Sequence, residues 1–530
     1  MKLISVATMR EWEQRADAAG FTFAEMMRTA GEGIALHVDQ NYGGENAHYA
    51  LGLIGGGNNG GDTLVALSAL QAKGWSTRAV LVKERGQKDP LFQAYLQSGG
   101  AVTDVSRISE FQHNGGVVLD GIYGTGFRLP LPESVSALLV EVFRSLKGFT
   151  WIAVDCPSGM DCDSGEVSNG TIKADETICL EAVKKGMLTY AAYPFLGKIT
   201  TMDLGIAKYL SVVEESGDIV VDWDTVRAFL PKRDDFSHKG SYGKTLVIGG
   251  CVNYPGAPVL AGRGAYAVGT GLVQVAVPAS IYQAVLNASQ ELTWVILEDA
   301  GGIISEIAAE TALPFILGSN SVVIGPGLGR DDSTMRFMHD LLLQSAKAQD
   351  SGAGFPGIKS QPKIKVPAAE WPALVIDADG LYLLGDDPAW SEKLSAAAVL
   401  TPHPGEMSRL SGLAVEEIQL DRMEVARKFA SKWEQTVVLK GPLSVIAGED
   451  GRIAVLPVAT SSLAKAGTGD VLAGMIAGLL AQGLAAWEAA LCGAWLHAQA
   501  GIAAREIVGC DESVLAGDVI RAIPRVYELL

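Results

Sequence analysis

The chain has 530 residues, 48% hydrophobic and 19% charged, with a formal net charge of -18. That length calls for more than one domain, and that charge opposes binding to nucleic acid or to an anionic membrane. Six cysteines (Cys156, Cys162, Cys179, Cys251, Cys492, Cys510) lack metal-ligand spacing, so they read as reduced thiols of a cytoplasmic protein.

Met1-Lys2-Leu3-Ile4-Ser5-Val6 leads into no long apolar core, so no secretory signal is expected. Residues 10–40 predict a helix with Met26, Met27, Ala30, Ile34 and Leu36 on or near one apolar face. Residues 49–54 are a short apolar run ending in glycines, which predicts a buried strand. Further strands are expected at 78–82, 116–120, 150–155, 177–180 and 198–203, with helical stretches among them. This alternation predicts an α/β domain on a parallel sheet. Residues 208–235 change character: Glu214, Glu215, Ser216, Gly217 and Asp218 form an acidic, turn-rich patch, and Pro231 follows. Two domains are therefore expected, 1–215 and 223–530. In the second, strands are predicted at 245–249, 272–277, 321–324, 374–377, 399–400 and 437–440, and helical blocks at 471–505 and 516–529. Between the strands at 321–324 and 374–377, residues 345–372 hold Gly352, Gly354, Pro356, Gly357, Pro362 and Pro367 and predict a surface insertion. Residues 463–487 are the most apolar window, interrupted by Lys465 and Asp470. Its Gly474 and Gly478 predict close packing of a buried helix rather than a membrane span.

Three strand ends of the first domain carry polar, glycine-rich loops. Gly55-Gly56-Gly57-Asn58-Asn59-Gly60-Gly61-Asp62 contains a formal G-x-G-x-x-G, for which Glu84 serves only at a stretch as the acid wanted about 20 residues on. Two Asn and an Asp crowd the turn where a pyrophosphate would sit. Such oxygens suit a cation or polar hydroxyls better. Asp120-Gly121-Ile122-Tyr123-Gly124-Thr125-Gly126-Phe127 and Asp155-Cys156-Pro157-Ser158-Gly159-Met160-Asp161 close two more strands. Singly, each Asp reads equally as a loop cap. Three such ends on one rim of a parallel sheet predict a site.

In the second domain, His238-Lys239-Gly240-Ser241-Tyr242-Gly243-Lys244-Thr245 ends in Gly-Lys-Thr, but His238 stands where a P-loop needs its first glycine, so that reading fails. Pro255-Gly256-Ala257-Pro258 opens a helix with close backbone approach. Polar loops follow at Gly325-Pro326-Gly327-Leu328-Gly329, Asp377-Ala378-Asp379-Gly380, Thr401-Pro402-His403-Pro404-Gly405-Glu406 and Lys440-Gly441-Pro442-Leu443-Ser444. His403, held between prolines, is read as a ligand contact. In Ser461-Ser462-Leu463-Ala464-Lys465-Ala466-Gly467-Thr468-Gly469-Asp470, glycines turn the backbone N–H groups toward one point and place Asp470 in the first turn of a helix. A helix start favours phosphate, and a carboxylate there repels it unless a proton must be removed. The pattern therefore predicts phosphoryl transfer with Asp470 as base, against an ordinary loop whose Asp caps a helix.

GGGNNGGD, DGIYGTGF and DCPSGMDCDSG, with Met27-Arg28-Thr29-Ala30-Gly31 ahead of them, resemble the YjeF N-terminal domain over about residues 1–210. That family includes epimerases of hydrated NADH and NADPH. The chain departs from it at Thr63, where the family often has Gly. HKGSYG, GPGLG, DADGL, TPHPGE, VVLKGP and KAGTGD resemble the YjeF C-terminal domain over about residues 225–530. That family, ribokinase-like, includes ADP-dependent dehydratases of hydrated NAD(P)H. The fusion resembles the bacterial bifunctional repair enzymes. The resemblance implies a Rossmann-like three-layer domain followed by a ribokinase-like α/β domain. It implies that Asn58, Asn59, Gly60, Gly61 and Asp62 contact the hydrated cofactor, and that Gly124, Thr125, Gly126, Phe127, Arg128, Leu129 and Pro130 cradle its phosphate. Asp155 would act as acid or base at the ring, and Asn59, Asp120 and Ser158 would ligate K+. In the second domain Ala257, Gly327, His403 and Asp470 would contact the hydrate. Lys440, Gly441, Pro442, Leu443, Ser444 and Gly469 would hold ADP, with Mg2+ on the nucleotide. A homo-oligomer is also implied.

Two other readings compete with this one. The first is a ribokinase-like small-molecule kinase with an N-terminal ligand-binding regulatory domain, which would yield a stable phosphorylated alcohol. The second makes the N-terminal half a non-catalytic binding module; Asn59, Asp120, Asp155 and Ser158 together argue against it.

Overall fold

The computed structural model describes all residues except 45–47, 87, 112–114, 211–216, 344–369 and 395. Most of the 345–372 insertion and of the acidic patch at 214–218 therefore lies outside the described residues. The chain divides into two compact units, Met1–Val220 and Val221–Leu530.

The first unit runs β1 (Leu3–Ile4), α1 (Val6–Ala18), α2 (Phe23–Tyr42), β2 (Tyr49–Ile54), α3 (Asn58–Ala72), β3 (Ser76–Leu81), α4 (Pro90–Gln97), β4 (Ala101–Val102), β5 (Val117–Gly121), α5 (Glu133–Ser145), β6 (Thr150–Val154), β7 (Glu176–Leu180), β8 (Val183–Lys184), β9 (Lys198–Met202) and β10 (Ile219–Val220). The helix expected over 10–40 is in fact two. The first ends at Ala18, ahead of Gly20 with φ of 102°, and Thr22 starts the second with a capping box closed by Glu25. The buried stripe of α2 is Met26, Ala30, Ile34, Ala35 and Val38, and Leu36 faces outward.

Seven strands form a parallel sheet in the order β4-β3-β2-β5-β6-β7-β9. Strand periodicity builds a core on each face. Ala50 and Ile54 of β2, with Ile152 and Val154 of β6, join the core formed with α1, α2 and α3. Leu51, Leu53, Trp151 and Ala153 join the core formed with α5. The sheet is thus the middle of three layers. Strand order reverses between β2 and β5, and a parallel sheet opens a ligand crevice at such a switch point.

The second unit contains α6 (Trp223–Phe229), β11 (Lys244–Ile248), α7 (Ala257–Ala267), β12 (Leu272–Pro278), α8 (Ala279–Val285), β13 (Thr293–Leu297), β14 (Asp299–Ala300), β15 (Ile303–Ile304), α9 (Ala308–Leu317), β16 (Ser321–Ile324), α10 (Asp332–Leu342), β17 (Ala373–Ile376), α11 (Asp379–Leu384), α12 (Trp390–Lys393), β18 (Ala398–Leu400), α13 (Pro404–Ser411), α14 (Val415–Leu420), α15 (Arg422–Trp433), β19 (Thr436–Leu439), β20 (Val445–Ala447), β21 (Ile453–Val455), α16 (Thr468–Ala481), α17 (Ala486–Val508) and α18 (Ala516–Leu529). Its sheet runs β21-β20-β19-β18-β17-β16-β11-β12-β13. The strands β13, β12, β11, β16, β17, β18 and β19 pair parallel, while β19, β20 and β21 pair antiparallel; β14 and β15 form a separate antiparallel pair. The switch point here lies between β11 and β16. The helical block expected at 471–505 breaks into α16 and α17 at Gly483, whose φ of 96° suits glycine. Helix α16 packs on α7 through Gly474, where a Cβ would lie 1.8 Å from the Ala261 carbonyl oxygen. No described helix is long and apolar enough to cross a membrane.

Candidate functional sites

In the first unit the loops after β2, β5 and β6 meet at the switch point around a cavity of about 670 Å³. The loop after β2 approaches the next so closely that a Cβ on Gly55 would lie 1.9 Å from the Ile122 carbonyl oxygen. Asn58, Asn59 and Asp62, in the first turns of α3, line the cavity, as do Gly124, Thr125, Gly126, Phe127, Arg128, Pro130 and Asp155. Gly60, Gly61 and Leu129 are not among its lining. Gly60 and Gly61 instead bring α3 against its neighbours, with Gly60 on the Gly55 backbone and Gly61 on Met27. Thr63 donates to the Asn59 carbonyl at 2.8 Å and abuts Gly121, so it supports the turn without entering the cavity.

Asp120 and Ser158 lie beneath that surface. The Ser158 hydroxyl donates to Asp120 Oδ1 at 2.6 Å and its N–H to Oδ2 at 3.0 Å. Burial chiefly raises the Asp120 carboxyl, and the Ser158 bonds oppose the rise. Asn59 Nδ2 donates to the Tyr123 and Val154 carbonyls, both at 3.0 Å. Asn59 Oδ1 is buried without a hydrogen-bond partner. A buried amide oxygen left bare in this way is what a hard cation ligand looks like without its ion.

Asp155 has φ of 63°, a left-handed conformation unusual for a non-glycine residue and common at functional sites. Its Oδ1 accepts from Lys184 Nζ at 2.5 Å and from the Leu180 N–H at 3.3 Å. Lys184 is 1% exposed, and the Asp155 charge holds its ammonium protonated against the cost of burial. Sequence reasoning missed Lys184. The available signal was a lysine directly after the apolar run that ends in β8. Glu13 of α1, also missed, lines the same cavity, with its carboxyl raised by burial and then by Asp155.

In the second unit the loops after β11, β16, β17, β18 and β19 and the start of α16 share one rim. A Cβ on Gly325 would lie 1.8 Å from the Asp377 carbonyl oxygen, which joins the loops after β16 and β17. Gly327 packs against Ala257 in the first turn of α7. His403 caps α13: its Nδ1 accepts from the N–H groups of Gly405 at 3.0 Å and Glu406 at 3.3 Å. Burial and then the Lys440 charge lower its pKa, so the ring is neutral with its other nitrogen protonated.

Lys440 is not a solvated strand end. Its Nζ lies 2.7 Å from Asp377 Oδ1 and 3.8 Å from Glu406 Oε2. Asp377 also accepts from the Thr401 hydroxyl at 2.7 Å. Asp470 stands in the first turn of α16, beyond Gly467 with φ of 91°. Burial, then repulsion from Asp377, pushes its carboxyl up to about 7, with Lys440 opposing. Burial likewise pushes Glu406 up to about 7. Asp379 takes Arg330 Nε at 2.7 Å and the Gly329 N–H at 3.0 Å. Asp377, Asp379 and Glu406 stood inside recognised loops but carried no assigned role. No group of three His, Cys, Asp or Glu side chains among the described residues is spaced to hold a metal.

Beside these groups lies a cavity of about 590 Å³ lined by Lys440, Gly441, Pro442, Ser444, Thr468, Gly469 and His497, with Leu456, Val458, Leu463 and Leu472 as apolar walls. Leu443 is buried with φ of 53° and is not among the lining residues. Ala257, Gly327 and His403 line the rim elsewhere rather than this cavity.

The family model described as NAD(P)H-hydrate dehydratase matches residues 245–525, and that of YjeF-related protein N-terminus matches 23–186. The bifunctional NAD(P)H-hydrate repair enzyme Nnr of Moorella thermoacetica is 32% identical over 547 residues, covering 100% of this chain and 97% of that protein. The enzyme of the same name from Escherichia coli is 29% identical, covering 97% and 91%. An ADP/ATP-dependent NAD(P)H-hydrate dehydratase from Bacillus subtilis, co-crystallised with ATP and Mg2+, aligns with 59% of this chain and 98% of its own at 28% identity and a TM-score of 0.45. The chain belongs to the family of bifunctional NAD(P)H-hydrate repair enzymes.

Proposed function

We propose that the two units, corresponding to residues 1–215 and 223–530, divide one repair task. The first epimerises the R and S forms of hydrated NADH or NADPH. The second dehydrates the S form back to NAD(P)H with ADP, giving AMP and phosphate. The observation that supports this best is the pairing of a nucleotide-sized cavity with a carboxyl, Asp470, whose proton affinity sits near neutrality. A base with that affinity can take a hydroxyl proton and later release it.

In the first unit Asn58, Asn59 and Asp62 hold the hydrated nucleotide, with Gly60 and Gly61 allowing the close packing that presents them. Gly124 to Pro130 take its phosphate, and Asp155 exchanges protons at the ring. K+ would be held by Asn59, Asp120 and Ser158, and the bare Asn59 oxygen fits that role. The ion would supply positive charge and rigidity to the turn.

In the second unit Ala257, Gly327 and His403 position the hydrate. Lys440, Gly441, Pro442, Ser444 and Gly469 hold the adenine nucleotide, and buried Leu443 shapes the loop that carries them. Asp470 removes the proton of the ring hydroxyl as its oxygen attacks the terminal phosphoryl group, and the amides of Gly467, Thr468 and Gly469 stabilise the charge in transfer. The phosphorylated hydroxyl then leaves as phosphate, since hydroxide itself is a poor leaving group; the ring nitrogen lone pair forms a carbon–nitrogen double bond, and loss of a proton from the adjacent ring carbon restores the ring double bond. Mg2+ would be held chiefly by the phosphates of the nucleotide, which suits a site with no carboxylate cage among the described residues. The reading extends to a cytoplasmic homo-oligomer.

The test mixes purified protein, ADP, Mg2+ and both epimers of hydrated NADH and follows the return of NADH absorbance. Full consumption of both epimers with phosphate release is expected. A stable phosphorylated alcohol without NADH would favour the kinase reading instead.

A further inference from the structure

Exchange of the two epimers makes a demand that one carboxylate does not meet. The hydroxyl must leave one face of the ring as water, which requires a proton donor. Water must return to the other face, which requires an acceptor. The first cavity draws carboxyls from three elements: Glu13 from α1, Asp62 from α3 and Asp155 from the end of β6.

Their surroundings differ. Asp155 is tied through Oδ1 to Lys184, which is itself anchored to the Leu180 carbonyl at 3.1 Å. Its other oxygen lies toward the cavity loop, 3.4 Å from where a Cβ on Gly124 would stand. Asp62 is 7% exposed and has no ion-pair partner among the described residues. The nearby Arg85 is engaged by Asp89 at 2.7 Å. The charged and titratable groups acting on Asp62 are Asp155, Glu13 and Arg85. Those acting on Glu13 are Asp155, Lys184 and Arg10. Burial, then Asp155 and Glu13, push the Asp62 carboxyl well above the usual carboxylate range. Two carboxyls in unlike surroundings, one bound to a buried lysine and one without an ion pair among the described residues, form a recognised acid–base device when they share one cavity.

We propose that Asp62 is a second catalytic residue of the epimerase site, its carboxylic acid serving the departing hydroxyl while Asp155, fixed by the positioning residue Lys184, serves the returning water. The proposal rests on the epimerase reading of the first unit. In the forward step the carbon–oxygen bond breaks as the ring nitrogen lone pair forms a carbon–nitrogen double bond. The oxygen leaves as water with the Asp62 proton. Water then adds to that carbon on the opposite face, the electron pair returns to nitrogen, and the surplus proton passes to Asp155. One water leaves and one enters, and exchange with solvent resets the pair.

The test measures epimer exchange by NMR with the full chain as wild type, Asp155→Asn and Asp62→Asn, between about pH 5 and about pH 9. Wild type should show a bell-shaped kcat profile. Asp62→Asn should lower kcat by about 10²-fold or more, change KM little, and lose the alkaline limb. A raised KM at full kcat would make Asp62 a substrate ligand only and overturn the proposal. So would an alkaline limb that survives in Asp62→Asn. If thermal melting shows that variant unfolded, the wild-type profile decides: an acid limb without an alkaline one overturns it. Wild type without exchange sinks the epimerase reading and the proposal together. Active wild type, inactive Asp155→Asn and unimpaired Asp62→Asn sink the proposal alone.

Discussion

Each unit sets an aspartate in or beside its cavity with a lysine close by, fully buried in the first and partly buried in the second, but the two are wired differently. In the first, Lys184 binds Asp155 itself at 2.5 Å. In the second, Lys440 binds a neighbour, Asp377, at 2.7 Å, and Asp470 is left to feel Asp377 as a repelling charge. The same ingredients therefore give a carboxylate locked to a cation in one unit and a carboxyl that titrates near neutrality in the other. Which aspartate receives the lysine decides the chemistry each site can support.

The most severe break in this comparison is Asp470→Asn. Removing a positioned base should lower NAD(P)H regeneration by about 10³-fold while epimer exchange continues. The same substitution should stabilise the second unit. A carboxyl raised to about 7 in the folded chain binds its proton more tightly there than when unfolded. Between the unfolded value and about 7, folding stability therefore falls as pH rises. Asp470→Asn removes that loss, worth at most about 4 kcal/mol, so its melting temperature should exceed wild type at pH 8 and match it near pH 4. An unchanged melting temperature at pH 8 would place Asp470 in a far wetter setting than the structure gives it.

Lys440→Met attacks the wiring directly. It leaves Asp377, 1% exposed, with the Thr401 hydroxyl but without its cation. Breaking a buried pair in this way should cost about 3 kcal/mol, read by denaturant unfolding, and should also push Asp470 higher, because Lys440 is the charge that lowers it. The dehydratase acid limb then moves to higher pH.

Sequence periodicity made the parallel sheets legible because strands buried on both faces are short continuous apolar runs. It was silent on β20 and β21, whose three-residue lengths give periodicity too little to work with. It merged α1 with α2 and α16 with α17, because apolar spacing continues across a short break marked only by Gly20 and Thr22 in the first case and Gly483 in the second. Glycine loops announced both sites, since tight approach demands glycine. Lys184 was hidden for a different reason. Its partner is 29 positions away, joined only when β7 and β8 fold beside the end of β6, and a lone lysine carries no spacing to betray that. Asp377 and Glu406 were in view as motif letters, but their tie to Lys440 depends on three strands lying side by side.

A milder probe uses pH alone. With Asp470 near 7, kcat/KM for dehydration should fall about tenfold for each pH unit below that point. Asp379→Asn removes one of the charges that raise Asp470, so its acid limb should shift to lower pH. A limb that stays in place would mean that Asp377 alone sets the repulsion.

The smallest effect comes from Gly469→Ala. A Cβ there would stand 3.6 Å from Lys440 Nζ and 3.8 Å from Asp377 Oδ2, ordinary contact distances, so the protein has room for it. Gly469 lies within α16, where alanine favours the helix by up to about 1 kcal/mol. The new methyl would, however, project from a residue that lines the 590 Å³ cavity. Folding should therefore be preserved or improved while KM for ADP rises by about tenfold and KM for the hydrate stays put. An increase in the hydrate KM instead would move the nucleotide away from the start of α16 and assign that helix turn to the other substrate.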